Sequence, residues 1–191
     1  MPSPSKIKGS SYEREVAKHL SDLYNESFIR APGSGAYVGG KNQTRKETLH
    51  EGQIRSFKGD IVPGQSFAKM NAECKSYGDF PFHLLCSGNC KILDTWISQM
   101  MDVADEGDVN ILFIKITRKG KFVVVQTNRV WVADHFFHYT SKDHGDWVMM
   151  DYDLFFNSNK DLLRQYCNPL ENTQNTTETS NTTPNILNIN I

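Results

Sequence analysis

The chain lacks the features that would place it in a membrane or outside a cell. No run of eighteen apolar residues occurs among its 191 residues, so no helix able to span a bilayer is expected. Its first fifteen residues, MPSPSKIKGSSYERE, contain no apolar stretch, so no secretory leader is expected either. Cysteine is scarce. The four present, Cys74, Cys86, Cys90 and Cys167, are expected as reduced thiols rather than a disulfide framework. The Asn-x-Ser/Thr matches at Asn25, Asn42, Asn175 and Asn181 then carry no glycosylation meaning. Net charge is nearly absent too, at −1, so total charge gives no sign of a nucleic-acid partner.

What is there is a foldable core and an uneven charge distribution. Eleven Phe, seven Tyr and three Trp argue against wholesale disorder. Residues 1–58 hold ten Lys/Arg against six Asp/Glu, whereas residues 59–167 hold eleven against fourteen. The basic excess lies in the N-terminal third, and ordinary solvated surface explains it as readily as a polyanionic partner. The length suits one domain, expected over residues 1–167. Residues 168–191 are almost wholly Asn, Thr, Ser, Gln, Pro and Ile, without Lys, Arg or aromatics, and are expected as a disordered tail.

Within 1–167 the element order reads as an α/β sandwich around a mixed sheet. Glu13, Val16, Leu20 and Leu23 recur at helical spacing and predict a helix over 10–24. Ser10 and Glu13 fit a capping box at its start. Phe28–Ala31 reads as a short strand that Pro32-Gly33 stops, and the polar, Gly-rich stretch 33–57 as a long loop. Strands are expected at Lys58–Val62 and Lys69–Lys75, joined through Pro63-Gly64-Gln65-Ser66. A helix is expected over 91–106, with Ile92, Trp96, Met100 and Val103 on one face. A hairpin follows at 110–117 and 121–126, then a strand at Val130–Ala133 and a helix at 151–166.

The two strands after the loop carry the chemistry. Side chains alternate along a strand, so Lys69, Asn71, Glu73 and Lys75 share a polar face while Ala68, Met70, Ala72 and Cys74 face a core. A hairpin centred between Ser66 and Phe67 sets Asp60 across from Glu73. Two carboxylates and an ammonium at one spot suit phosphodiester hydrolysis. Acidic oxygens hold Mg²⁺, with Mn²⁺ as a substitute, and the ion neutralises phosphate and lowers the pKa of bound water. A lysine orients the attacking water or offsets developing charge. A solvated strand face with a cross-strand ion pair accounts for the same three residues.

Other segments bear on the choice. Glu13 lies on the apolar side of its helix, either as part of the capping box or as a further site carboxylate. Lys8-Gly9-Ser10, with Arg14 after it, makes a basic helix start suited to phosphate. Arg30-Ala31-Pro32-Gly33-Ser34-Gly35 ends a strand in a loop where backbone amides and the Ser34 hydroxyl can approach phosphate. His83, Cys86 and Cys90, with Cys74 upstream, lack the common zinc spacing and read better as ordinary thiols. His135, His138 and His144 read as surface loop residues, and Asp102, Asp105, Glu106 and Asp108 as a solvated helix end.

In order, Lys8-Gly9-Ser10-Ser11-Tyr12-Glu13-Arg14, Arg30 to Gly35, Asp60-Ile61-Val62 and Glu73-Cys74-Lys75 resemble the archaeal-type Holliday junction resolvases of the PD-(D/E)xK nuclease superfamily. The resemblance covers roughly residues 6–126. It implies a restriction-endonuclease-like core, with Glu13, Asp60 and Glu73 as metal-binding carboxylates, Lys75 as the catalytic lysine and Ser34 as an assisting serine. It also implies a homodimer acting on branched or duplex DNA, in recombination and repair. DNA contacts are expected from Lys8, Ser10, Arg14 and Arg30, and from Lys41, Arg45, Lys46, Arg55 and Lys58 of an insertion at 36–58. Gly59 stands where the family usually has Pro, and the connection from Ser34 to Asp60 is longer than usual. Two rivals stand beside the resolvase: a restriction- or repair-type endonuclease acting on other DNA, and a catalytically inactive DNA-binding protein of the same fold. The expected setting is intracellular: cytoplasmic, or host cytoplasm for a viral chain.

Overall fold

The computed structural model describes residues 4–32 and 58–168, with backbone alone for residues 4–8. Residues 36–57 of the 36–58 insertion and 169–191 of the 168–191 tail therefore lie outside the described residues, as do the expectations placed on them.

Helix α1 (Pro4–Tyr24) leads into a strand pair, β1 (Ile29–Arg30) and β2 (Ile61–Val62), then β3 (Met70–Tyr77). Helices α2 (His83–Cys86) and α3 (Lys91–Met101) cross to β4 (Val109–Ile116). Strands β5 (Gly120–Gln126), β6 (Phe137–Ser141) and β7 (Gly145–Asp151) and helix α4 (Tyr152–Cys167) complete the order. The main sheet runs β3-β4-β5-β7-β6, parallel between β3 and β4 and antiparallel elsewhere. It is the mixed, helix-flanked sheet expected from the sequence.

Strand alternation divides the core into two layers. Ala72, Cys74, Ile111, Phe113, Val123 and Val125 pack on one face against Val16 and Leu20 of α1 and Phe155 and Leu163 of α4. Leu112, Ile114, Val124, Trp147 and Met149 pack on the other against Leu93, Trp96, Ile97 and Met100 of α3. Each buried Val, Leu, Ile, Phe or Met among them contributes about 1.5–3 kcal/mol, so the two layers hold the sheet firmly beneath its edges. The apolar faces of α1 and α3 and the β4–β5 hairpin thus follow the sequence periodicity, with Leu93 and Ile97 more central to α3 than Ile92.

Four expectations are corrected. First, α1 begins at Pro4, not Ser10, because proline suits the first turn, where its missing N–H has no partner to lose. Ser10 and Glu13 lie inside the helix, so no capping box forms. Second, Asp60 and Glu73 are not on one hairpin. Strand β2 pairs with β1, through Arg30 opposite Ile61, and Gln65–Phe67 coil into a 3-10 turn. Third, Val130–Ala133 alternates as a strand does but joins no ladder. The Asn159 side chain accepts from the Val132 N–H at 2.7 Å and donates to its carbonyl at 2.8 Å, satisfying the backbone instead. Fourth, β6 and β7 form a hairpin that the polar stretch around Lys142–Gly145 concealed; His138 belongs to β6 and lies 3.4 Å from Asp146. Among the described residues no helix is long and apolar enough to cross a membrane.

Candidate active site

The site is built on the edge of β3 that pairs with no other strand among the described residues. On its other side β3 pairs with β4, which leaves the Ala72 carbonyl and the Cys74 N–H facing outward. Asp60 occupies both. Its backbone N–H donates to the Ala72 carbonyl at 2.7 Å, and its Oδ2 accepts from the Cys74 N–H at 2.8 Å. Its own carbonyl accepts from the Ala31 N–H at 2.8 Å. Asp60 is therefore buried and tied at three points, beside the residue, Glu73, that lies between its two β3 partners.

Gly59 makes that approach possible. Its φ is +67°, a left-handed conformation that favours glycine, and a Cβ there would collide with the Ala72 carbonyl oxygen. Proline, locked near −65°, cannot adopt this angle. The departure from Pro before the aspartate thus has a local physical cause: the chain turns into the strand edge by a route proline cannot take.

Glu73 and Lys75 share a face of β3, as their spacing predicts. That face is not solvated, however, because α3 covers it. Asn71, on the same face, is fully buried and donates to the Met100 carbonyl at 3.0 Å and to Asn110 at 2.8 Å. The Glu73 and Lys75 side chains are only 14% and 15% exposed and meet at 2.7 Å. Lys75 Nζ also donates to Gln99 Oε1 on α3 at 2.9 Å. The sequence reading missed Gln99, and its placement on the helix between β3 and β4 was the one available signal.

Burial pushes the Glu73 carboxyl up to about 7, with the Asp60 charge adding to the shift and Lys75 opposing it; Glu13 contributes in the same upward sense. Burial, then the charges of Asp60, Glu73 and Glu13, likewise push up the Cys74 thiol. The three carboxylates therefore act on one locality. Glu13 reaches it from α1 and ion-pairs with Arg30 of β1, the residue opposite Ile61 and so next to Asp60 along the chain.

The raised Glu73 value sets a pH dependence. Between about 4.5 and about 7 the folded protein holds a proton that the unfolded chain has released. Stability is then expected to fall as pH rises through that window, by up to about 3 kcal/mol from this group. Thermal midpoints of metal-free protein from pH 5 to pH 8 should decline, and Glu73→Gln should flatten the decline. Identical profiles for the two proteins would refute the assignment.

As they stand, Glu13 is turned to Arg30 and Glu73 to Lys75. No three His, Cys, Asp or Glu side chains among the described residues are arranged to hold a metal ion. The donor chemistry nevertheless fits a hard divalent cation: carboxylate oxygens gathered in a poorly solvated place, one of them already resisting ionisation beside another. Closing that set around a cation requires Glu13 or Glu73 to exchange its present partner for the ion.

The remaining expected site residues divide. Arg30 is committed to Glu13, Arg14 is exposed on α1, and Ser10 is half-buried within the helix. Lys58 is corrected as a DNA contact, because it is buried in ion pairs with Asp105, at 2.8 Å, and Asp108. Those two aspartates are thus a structural anchor rather than a plain solvated helix end, and Asp108 also accepts from the Asp105 N–H at 2.6 Å. The Lys8 side chain, Ser34, Lys41, Arg45, Lys46 and Arg55 lie outside the described residues.

Residues 4–145 match the sequence model of a family described as "phage putative PDDEXK endonuclease". No curated protein and no solved structure matches the chain.

Proposed function

Because the chain belongs to this phage PDDEXK endonuclease family, a branch of the PD-(D/E)xK nucleases that use divalent metal ions on DNA, we propose that it is a Mg²⁺-dependent, structure-selective endonuclease that resolves four-way junctions. The observation that carries the catalytic part is the cluster at Glu73: a buried carboxylate beside Asp60, its pKa pushed up by burial and by the Asp60 charge, and paired with Lys75 at 2.7 Å. The junction part rests on the ordered resemblance of residues 8–14, 30–35, 60–62 and 73–75 to the resolvases.

In this reading Asp60, Glu73 and Glu13 would hold Mg²⁺ or Mn²⁺, which would supply neutralisation of the scissile phosphate and a more acidic water. The protein's own groups do the rest. Asp60 is fixed by the β3 backbone through its Oδ2 and its main chain, so its carboxylate is preplaced beside Glu73. Lys75 is held by Gln99 as well as by Glu73, so its ammonium has an anchor at the site that does not depend on Glu73. From there it stabilises charge that develops on the phosphate. Ser34 is assigned the assisting role that the resemblance implies, with Lys41, Arg45, Lys46 and Arg55 on the DNA arms. A four-way junction presents two equivalent strands for cleavage, so the reading includes a homodimer.

The test is a cleavage assay on a four-way junction, a flap and a linear duplex, with Mg²⁺, Mn²⁺ or EDTA. Metal-dependent cutting with the junction preferred by at least about tenfold is expected, a difference of about 1.4 kcal/mol in barrier. Equal cutting of junction and duplex removes the resolvase assignment and favours a restriction- or repair-type enzyme. Binding without cutting in either metal favours an inactive DNA-binding protein.

A further inference from the structure

We propose that the tip of the β4–β5 hairpin is a second DNA contact that grips the duplex backbone a short distance from the scissile phosphate; this rests on the nuclease reading above. Four cations lie within seven residues there: Lys115, Arg118, Lys119 and Lys121. Two carboxylates oppose them. Glu15 takes Lys115 at 2.5 Å and Lys121 at 3.6 Å, and Asp79 takes Lys119 at 2.6 Å. The tip therefore keeps an excess of positive charge in a chain whose overall net charge is −1.

The topology brings this charge to the active-site end of β3. Because β3 and β4 are parallel, Ser76 lies opposite Lys115 and Tyr77 opposite Ile116. The Thr117 N–H donates to the Tyr77 carbonyl at 3.0 Å, and the Lys119–Asp79 pair ties the tip to the segment after β3. Tyr77 is two residues beyond Lys75, about 7 Å along a strand. That is about two steps of a DNA strand, which rises about 3.4 Å per nucleotide. A duplex whose scissile phosphate meets Lys75 thus carries a neighbouring phosphate toward Arg118 and Lys119 at the turn, while Lys115 and Lys121 lean to the α1 and α4 face, over Tyr12 and Tyr152.

The tip is also prepared for such a ligand. Three of its ammonium groups rest over aromatic rings: Lys115 on Tyr12, Lys119 on Phe82 and Lys121 on Tyr152, at 5.5, 5.7 and 4.7 Å. Rings and carboxylates limit their wandering, so less freedom is lost when phosphate replaces an exposed carboxylate partner. Arg118 differs from these. It is exposed, makes no side-chain bond to another described residue, and has φ +65°, a conformation that glycine adopts more readily. A strained backbone position that carries a guanidinium unpaired among the described residues is a feature that packing does not require.

The test is fluorescence anisotropy of a 30-base-pair duplex in EDTA, over a range of salt, with wild type, Arg118→Gly, Lys119→Gln and the double variant. The double variant is expected to bind about tenfold more weakly at moderate salt. The slope of log K against log salt should shrink by about 0.9 for each phosphate that the protein no longer neutralises. Arg118→Gly should melt no lower than wild type, because it relieves the left-handed strain, which separates weakened binding from damaged folding. Cleavage by the double variant at saturating DNA and Mg²⁺ should match wild type. Unchanged affinity and slope in the double variant overturn the grip, and so does failure of the wild type to bind duplex. Wild type that binds through the tip but cuts nothing overturns the nuclease reading and leaves the grip standing.

Discussion

Asp60→Asn is expected to fold as the wild type does and to lose DNA cleavage by a factor of about 10²–10³ or more, the range for removing one well-placed electrostatic group. Asparagine keeps an oxygen that can accept from the Cys74 N–H, and its backbone N–H still donates to Ala72, so the edge of β3 stays closed. What disappears is the charge. Without it the site loses a hard anionic donor, and Glu73 loses the neighbour that helps to keep it protonated. Single-turnover cleavage in Mg²⁺, alongside thermal melting, separates the two effects. Glu73→Gln and Lys75→Ala should fall comparably in activity. Near-wild-type cleavage by any of the three, in folded protein, would remove that residue from the site.

Gly59→Ala should do the opposite, damaging the fold first and the chemistry through it. A side chain at φ +67° costs about 1–2 kcal/mol. The new Cβ also meets the Ala72 carbonyl, which is strand backbone and cannot swing aside. Relief of that collision pushes the chain away from β3 and breaks the two bonds of Asp60, at about 1 kcal/mol each. A total of about 3–4 kcal/mol is a large share of the roughly 5–15 kcal/mol that holds a domain together. The denaturant midpoint should drop accordingly, and cleavage should fall even at temperatures where the variant is folded. Gly59→Pro should be worse. A Gly59→Ala protein with an unchanged midpoint would mean that Asp60 does not depend on this turn.

These residues also show how far the sequence could be read. The apolar faces of α1 and α3 were legible because burial repeats at helical spacing, and β4–β5 because Arg118-Lys119-Gly120 punctuates two apolar runs. Asp60 beside Glu73 was anticipated, but through a hairpin that does not form; the contact is a side chain capping a strand edge, for which no local pattern exists. The burial of Glu73 was illegible for a related reason. Alternation identifies a polar face but not which helix lies over it, and α3 is contributed from beyond position 90. Lys58 looked like free positive charge because its partners, Asp105 and Asp108, are distant in the chain. Gln99, one of several polar residues on an amphipathic helix, carried no spacing signal that set it apart.

The position of Asp60 has one more consequence. An open strand edge invites another strand to add to it, and proteins blunt such edges to stay unaggregated. In this fold the carbonyl and N–H through which an intruding strand would pair at the centre of β3 are already taken by Asp60. One residue therefore guards the sheet against self-association while it holds its carboxylate at the proposed reaction centre. Substitutions that dislodge the backbone here should yield protein that precipitates, whereas those that only neutralise the charge should yield protein that is clear and inert.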